Sequence, residues 1–145
     1  MNNYFSLSMS LGVELEYELR EACSVSLGDD YKKATEKEDK FEGTDCYIYG
    51  IRTDFTFNFS GKNKMHKLEK AVNVDGIDFL FGIRFGNGRT QFSEPVLVIG
   101  INASEYYIRN FMNDIIDSFR KNLDLIIETA QDQYWDYLDK IEFAM

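Results

Sequence analysis

The chain has 145 residues, 44% of them hydrophobic and 15% aromatic, enough to build one packed domain and to exclude a disordered or low-complexity protein. Its 25 Asp and Glu against 16 Lys and Arg leave a formal net charge of −9, which counts against a protein that grips nucleic acid through a broadly basic surface. One histidine and two separated cysteines exclude a zinc cluster of thiolates and imidazoles within a single chain.

In chain order, the opening MNNYFSLSMS lacks the basic start and long apolar middle of a secretory signal. The longest apolar run, Val96 to Ile99, is far too short to cross a bilayer. A cytoplasmic protein without membrane contact is expected, with Cys23 and Cys46 as reduced core thiols. Residues 9–27 read as an amphipathic helix, because Leu11, Leu15, Leu19, Ala22, Cys23 and Leu27 recur at three- and four-residue steps. Ser8 or Ser10 could cap its start and Gly28 stop it. Glu14 and Glu18 lie at the edge of the apolar stripe, where a glutamate could reach a site between helix and sheet. The alternative is that Glu14, Glu16, Glu18 and Glu21 form a solvated face.

Residues 29–42 are charged without apolar period and read as a connector with a short helical turn. A strand pair, 45–49 and 51–59, turns near Gly50. The basic stretch 60–70 reads as a loop or lid in which Lys62, Lys64, His66, Lys67 and Lys70 could meet phosphates, or simply be solvated. Residues 77–85 form an apolar strand, and Gly86-Asn87-Gly88 supplies a hairpin turn to a partner near Thr90 to Phe92. VLVIGI after Pro95 is apolar on both faces, as in a strand covered on both sides. Arg84, in an otherwise apolar strand, is an edge residue, a carboxylate partner or a phosphate ligand.

Asn102 or Ser104 caps a helical segment over 104–141, one helix or two, with an inner stripe running through Tyr107, Phe111, Ile115, Phe119 and Leu123 to Ile127. Tyr134, Trp135, Tyr137, Leu138, Ile141 and Phe143 make an aromatic tail that reads as docked core. The fold class expected is α/β, with α+β as the alternative: a central mixed sheet of about four strands between an N-terminal helix and a long C-terminal helical segment. One domain spans 1–145, its core over about 9–101 and its C-terminal helices over about 103–142.

The sharpest chemistry lies in GTDCYIYGIRTDFTFNFSGKNK, residues 43–64. Strand alternation sets Arg52, Asp54, Thr56 and Asn58 on one face, and Ile51, Phe55, Phe57 and Phe59 on the other. A turn near Gly50 lets Asp45 and Asp54 converge, and two convergent carboxylates suit a hard divalent cation such as magnesium. Residues 31–70 carry nine Lys and Arg against seven Asp and Glu, the only basic part of an acidic chain.

ATEKEDKFEGTDCYIYGIRTDFTFNFSGK (34–62) resembles the PD-(D/E)XK nuclease-like superfamily, particularly its small phage-type members. FGIRFGN and FSEPVLVIG are similar to what such proteins carry after their hairpin, so the resemblance covers residues 12–101. It implies Mg²⁺- or Mn²⁺-dependent hydrolysis of phosphodiesters in DNA or RNA, with Asp45, Asp54 and Glu18 holding the metal and Glu14 as the substitute for Glu18. The lysine that would orient the attacking water belongs at position 56, where this chain has Thr56. Lys62 or Lys64 would stand in, although Lys62 lies about 26 Å beyond Asp54 on a straight strand and needs a fold-back at Ser60-Gly61. Lys62, Lys64, Lys67 and Arg84 would contact nucleic acid, and Asp39 would be an auxiliary acid or part of a charged turn.

Two other readings stand beside this one. In the first, the chain is a non-catalytic acidic inhibitor of the phage type, anti-CRISPR or anti-restriction-like, which binds a basic nucleic-acid-processing protein by imitating the phosphate backbone. In the second, it is an assembly protein whose C-terminal helix packs in a homodimer.

Overall fold

The computed structural model describes residues 3–41, 44–57, 69–85 and 95–144. It is an α/β arrangement in which one mixed sheet is covered by three long helices. Helix α1 (Asn3–Leu27) is followed by a 3₁₀ turn at Gly28–Asp30, strand β1 (Tyr31–Lys33) and the short helix α2 (Glu36–Phe41). Strands β2 (Cys46–Ile48), β3 (Ile51–Phe57), β4 (Glu69–Val74), β5 (Ile77–Arg84) and β6 (Val96–Ile101) complete the sheet. Helices α3 (Glu105–Lys121) and α4 (Leu123–Ala144) end the chain.

The sheet has six strands rather than about four, in the order β1-β2-β3-β6-β5-β4. Its two unexpected strands are β1 and β4. Strand β1 is three residues, Tyr-Lys-Lys, inside a charged stretch, and shows no alternation to read. Strand β4 occupies a polar segment whose signal is the Asp75-Gly76 pair that follows it. The strands form two antiparallel meanders, β1-β2-β3 and β4-β5-β6, joined by one parallel seam between β3 and β6.

Both two-residue hairpins have left-handed backbone at each turn position. Tyr49 and Gly50 lie at φ 50° and 79°, and Asp75 and Gly76 at φ 52° and 80°. That geometry matches the right-handed twist of the flanking strands. The proposed turn at 86–88 and its partner strand near 90–92 lie outside the described residues.

Register fixes what each face carries. On one face Phe55 aligns with Ile99 and Phe81, and Phe79 with Ile101. Phe119 of α3 packs its ring against Phe55 and Phe79, at centroid separations of 6.2 and 6.0 Å. Leu15, Leu19 and Cys23 of α1 and Ile126, Ile127 and Tyr134 of α4 close the same core. The opposite face carries Arg52, Asp54 and Thr56 of β3, Val96 and Val98 of β6, and Leu80, Gly82 and Arg84 of β5. Val96, Val98 and Leu80 are buried there too, outside the main cluster. Strand β6 is therefore buried on both faces, as its continuous apolar run requires.

Helix ends follow local chemistry. Helix α1 begins at Asn3, well before the serines expected to cap it, and stops where Gly28 turns left-handed at φ 57°. Ser104 caps α3 by accepting from the Tyr107 N–H at 3.1 Å. The C-terminal segment is two helices that break at Asn122, whose N–H donates to the Ser118 carbonyl. The expected inner stripe is interrupted at Phe111, where the backbone leaves the helical region (φ −129°, ψ 27°) and the ring is 41% exposed. Of the aromatic tail, Tyr134 is docked, whereas Trp135 and Tyr137 are exposed. Among the described residues no helix is long and apolar enough to cross a membrane.

Candidate functional site

Asp45 stands one residue before β2 and is pinned by β3 and by the residue that follows β1. Its N–H donates to the Thr53 carbonyl at 2.9 Å, and its own carbonyl accepts from the Ala34 N–H at 3.3 Å. Its Oδ2 accepts from the Phe55 N–H at 2.9 Å. The side chain is buried, and a backbone donor to one carboxylate oxygen supplies part of what burial removes.

Asp54, opposite on β3, points to the same face. The register that sets Cys46 against Thr53 places Asp45 beside Asp54, close enough for the two carboxyl groups to share a proton. The Asp54 carboxyl is accordingly held well above the ordinary carboxylate range. Burial is the main cause, followed by the hydrogen bond to Asp45 and the negative charge of Asp45. Arg84 works in the other direction and Glu16 adds a further push upward. Arg84 Nη2 lies 3.3 Å from Asp54 Oδ2. Because β6 lies between β3 and β5, this ion pair bridges it on the side that carries Val96 and Val98. Thr56 continues the row on β3, in register with Gly100.

A second polar network fastens α2 beside this pair. Thr35 and Glu38 form a reciprocal cap: the Glu38 N–H donates to Thr35 Oγ1 at 3.2 Å and the Thr35 N–H to Glu38 Oε1 at 2.9 Å. Glu38 Oε2 accepts from the Tyr47 hydroxyl. Arg52 Nη1 sits 3.8 Å from the same oxygen and donates to Thr44 Oγ1 at 3.2 Å, with its guanidinium 5.6 Å from the Tyr47 ring centre. The Tyr47 hydroxyl, then the Thr35 N–H, hold the Glu38 carboxyl below its ordinary value. Sequence reasoning missed this network, although T-x-x-E at 35–38 is a capping-box signature.

The structure therefore brings Asp45 and Asp54 together, and Arg84 joins them as a carboxylate partner. Glu18 does not join them. It faces α3 and pairs with Arg120 at 3.2 Å. The glutamate of α1 whose charge bears on Asp54 is Glu16, which is also 3.9 Å from Arg20. Helical geometry explains the difference, since residues two apart on a helix point to different sides. Glu14 is exposed. Lys62, Lys64, His66 and Lys67, along with Asn58 and Phe59, lie outside the described residues, as do the side chains of Asp39 and Phe57.

Among the described residues no three His, Cys, Asp or Glu side chains converge as a metal-holding group, so the donor set in hand is the two aspartates. That set fits magnesium, which takes one or two protein carboxylates and fills its remaining positions with water and phosphate oxygens. Cys23 and Cys46 are free and buried, as expected of core thiols. Burial pushes the Cys23 thiol up to about 12 and raises Cys46 as well. Comparison with protein-family profiles, with curated proteins and with solved structures gives no match.

Proposed function

We propose that the chain acts on nucleic acid as a Mg²⁺-dependent phosphodiester hydrolase, with Asp45 and Asp54 as the protein ligands of the cation. The observation that carries this reading is the pair of carboxyl groups, Asp45 and Asp54, that strand pairing holds side by side. Two carboxylates so placed repel unless a proton or a cation lies between them. Bound there, the cation would acidify a coordinated water and offset the charge that builds on the phosphate.

The rest is done by the chain's own residues. The Phe55 N–H holds Asp45 at one oxygen, so its carboxylate is set in place before anything binds. Arg84, within reach of Asp54, would turn to a phosphate oxygen once Asp54 is taken up by the cation. Thr56 offers a hydroxyl but no charge, so the positive role falls to Arg84 and to Lys62 or Lys64, with Lys67 as a further phosphate contact. Glu16 replaces Glu18 as the helix acid on this side. The substrate class is DNA or RNA, and the compartment is the cytoplasm, where both thiols stay reduced.

The test is Mg²⁺ and Mn²⁺ titration by calorimetry on the wild type and Asp54→Asn, with a nuclease assay on the same samples. The reading expects binding near one equivalent and metal-dependent cleavage, both lost in the variant. Absence of binding in the wild type would overturn it.

One observation favours the inhibitor reading: Asp124, Glu128, Asp132, Asp136 and Asp139 are exposed along α4. That reading expects salt-sensitive binding to a basic nucleic-acid-processing protein without any divalent metal. The exposed Trp135 and Tyr137 also allow α4 to pair with a second copy, which sedimentation over a concentration series would detect.

A further inference from the structure

On the helix-covered side of the molecule, away from the aspartate pair, a cleft of about 450 Å³ opens between α3 and the turn that joins β4 to β5. Its floor is aromatic. Tyr107 and Phe111 stack with ring centres 4.8 Å apart and planes tilted by 32°. Phe111 sits at the break in α3, and its ring is 41% exposed instead of continuing the buried stripe. The walls are anionic. Asp114 and Asp117 come from the next turn of the helix and Asp75 from the facing hairpin, and Lys121 is the one cation among the described lining residues. Asp75 Oδ2 is held in place by two uncharged donors, Ser118 Oγ at 2.9 Å and Asn122 Nδ2 at 3.2 Å.

We propose that this cleft binds an organic cation, an alkylammonium or guanidinium group, laid on the Tyr107–Phe111 rings and held by Asp114, Asp117 and Asp75. The carboxylates set the sign of the charge. The rings set its kind, because an aromatic face attracts a weakly hydrated cation through its quadrupole yet offers no donor atom to a metal ion, which prefers convergent oxygens. The volume suits a small molecule or one long side chain. Asp75 is the hinge of the arrangement. Its left-handed backbone (φ 52°) turns the hairpin, and its carboxylate is fixed to α3, so the two walls keep their spacing.

The experiment is an NMR titration of the Tyr107 and Phe111 ring protons in the full chain. The probes are tetramethylammonium chloride, ethylguanidinium chloride and, at matched ionic strength, sodium chloride. A saturable shift of these ring protons with both organic cations is expected, with half-saturation in the low millimolar range and the cations' own alkyl protons moved upfield, while sodium gives none. Phe111→Ala and Asp117→Asn should each weaken binding about threefold to tenfold, and Asp132→Asn, distant on α4, should change nothing. Shifts that sodium chloride reproduces, or affinities that neither variant alters, would overturn the proposal. Phe111 and Asp117 are both exposed, so either variant keeps the test open if the other fails to fold. A tripeptide with a central arginine separates the two sources of the cation. Binding much tighter than ethylguanidinium assigns the cleft to a protein side chain, and equal binding assigns it to a free small molecule.

Discussion

Along β3, Thr53 and Phe55 turn toward the helices while Arg52, Asp54 and Thr56 turn away, and the same alternation divides β5 between Phe79, Phe81 and Ile83 on one side and Gly82 and Arg84 on the other. The helix-covered face is held by area: rings and branched side chains interlock, and any removed atom leaves a void. The other face sets pairing around the buried Val96, Val98 and Leu80: Arg84 with Asp54, Asp54 beside Asp45, Arg52 with Glu38 and Thr44. What differs is how each tolerates change. A packed face loses stability with almost any truncation, whereas a paired face can gain stability when a group that serves chemistry is removed.

Substitutions on each face put that contrast at risk. Phe119→Ala should be the most damaging, at about 3–5 kcal/mol, because its ring touches both Phe55 and Phe79; urea unfolding measures it. A loss under about 1 kcal/mol would mean that the three rings do not hold the helix to the sheet. Asp54→Asn should move the other way. Its carboxyl is raised above the unfolded value near 3.9, so its contribution is complete below about pH 4 and is lost as pH rises through the folded value. The wild type should therefore lose stability on going from pH 4 toward neutrality more steeply than the variant. The variant should be the more stable at pH 8 by roughly 1 kcal/mol, the scale of a like-charge pair across strands. Added Mg²⁺ should restore the wild type at pH 8 and leave the variant unmoved. Thermal melts at each pH would expose the opposite trend.

Tyr49→Asn should stabilise by about 1 kcal/mol or less, because a bulky residue at φ 50° occupies a region that asparagine enters more readily. A destabilisation would mean that the tyrosine ring does structural work that outweighs its backbone strain. Glu18→Gln should give the smallest effect. Its bridge to Arg120 joins two half-exposed groups, so melting should change by less than about 1 kcal/mol. Calorimetry should find Mg²⁺ affinity unchanged. A lost affinity would return Glu18 to the site in place of Glu16.

Much of this division was legible from residue order. The alternation of β3, the two-sided burial of VLVIGI and the meeting of Asp45 with Asp54 all follow from period-two geometry and one turn near Gly50. Arg84 as a carboxylate partner was among the readings that its apolar strand allowed. Strand β4 was missed although Asp75-Gly76 announces a hairpin, because its polar opening residues masked the alternation. Glu18, with Glu14 as its substitute, was placed at the site because both lie at the edge of the buried stripe. That Glu18 instead meets Arg120 depends on how α3 packs against α1, which residue order does not carry. The cap that joins Glu38 to Thr35 was readable locally, yet its reach to Tyr47 and Arg52 depends on tertiary contact.

The single parallel seam has a kinetic consequence. Each meander is made of strands that are neighbours in sequence and contains one hairpin that closes by a two-residue turn, a fast step. The β3–β6 pairing spans more than forty residues, so its loop entropy must be met before the contact forms. Arg84 and Asp54 stand on opposite sides of that seam. Their ion pair belongs to the last stage of assembly, and Arg84→Gln should speed unfolding while leaving the folding rate nearly untouched. The carboxylate pair, by contrast, lies wholly within the first meander, so its two acids meet before the sheet is whole.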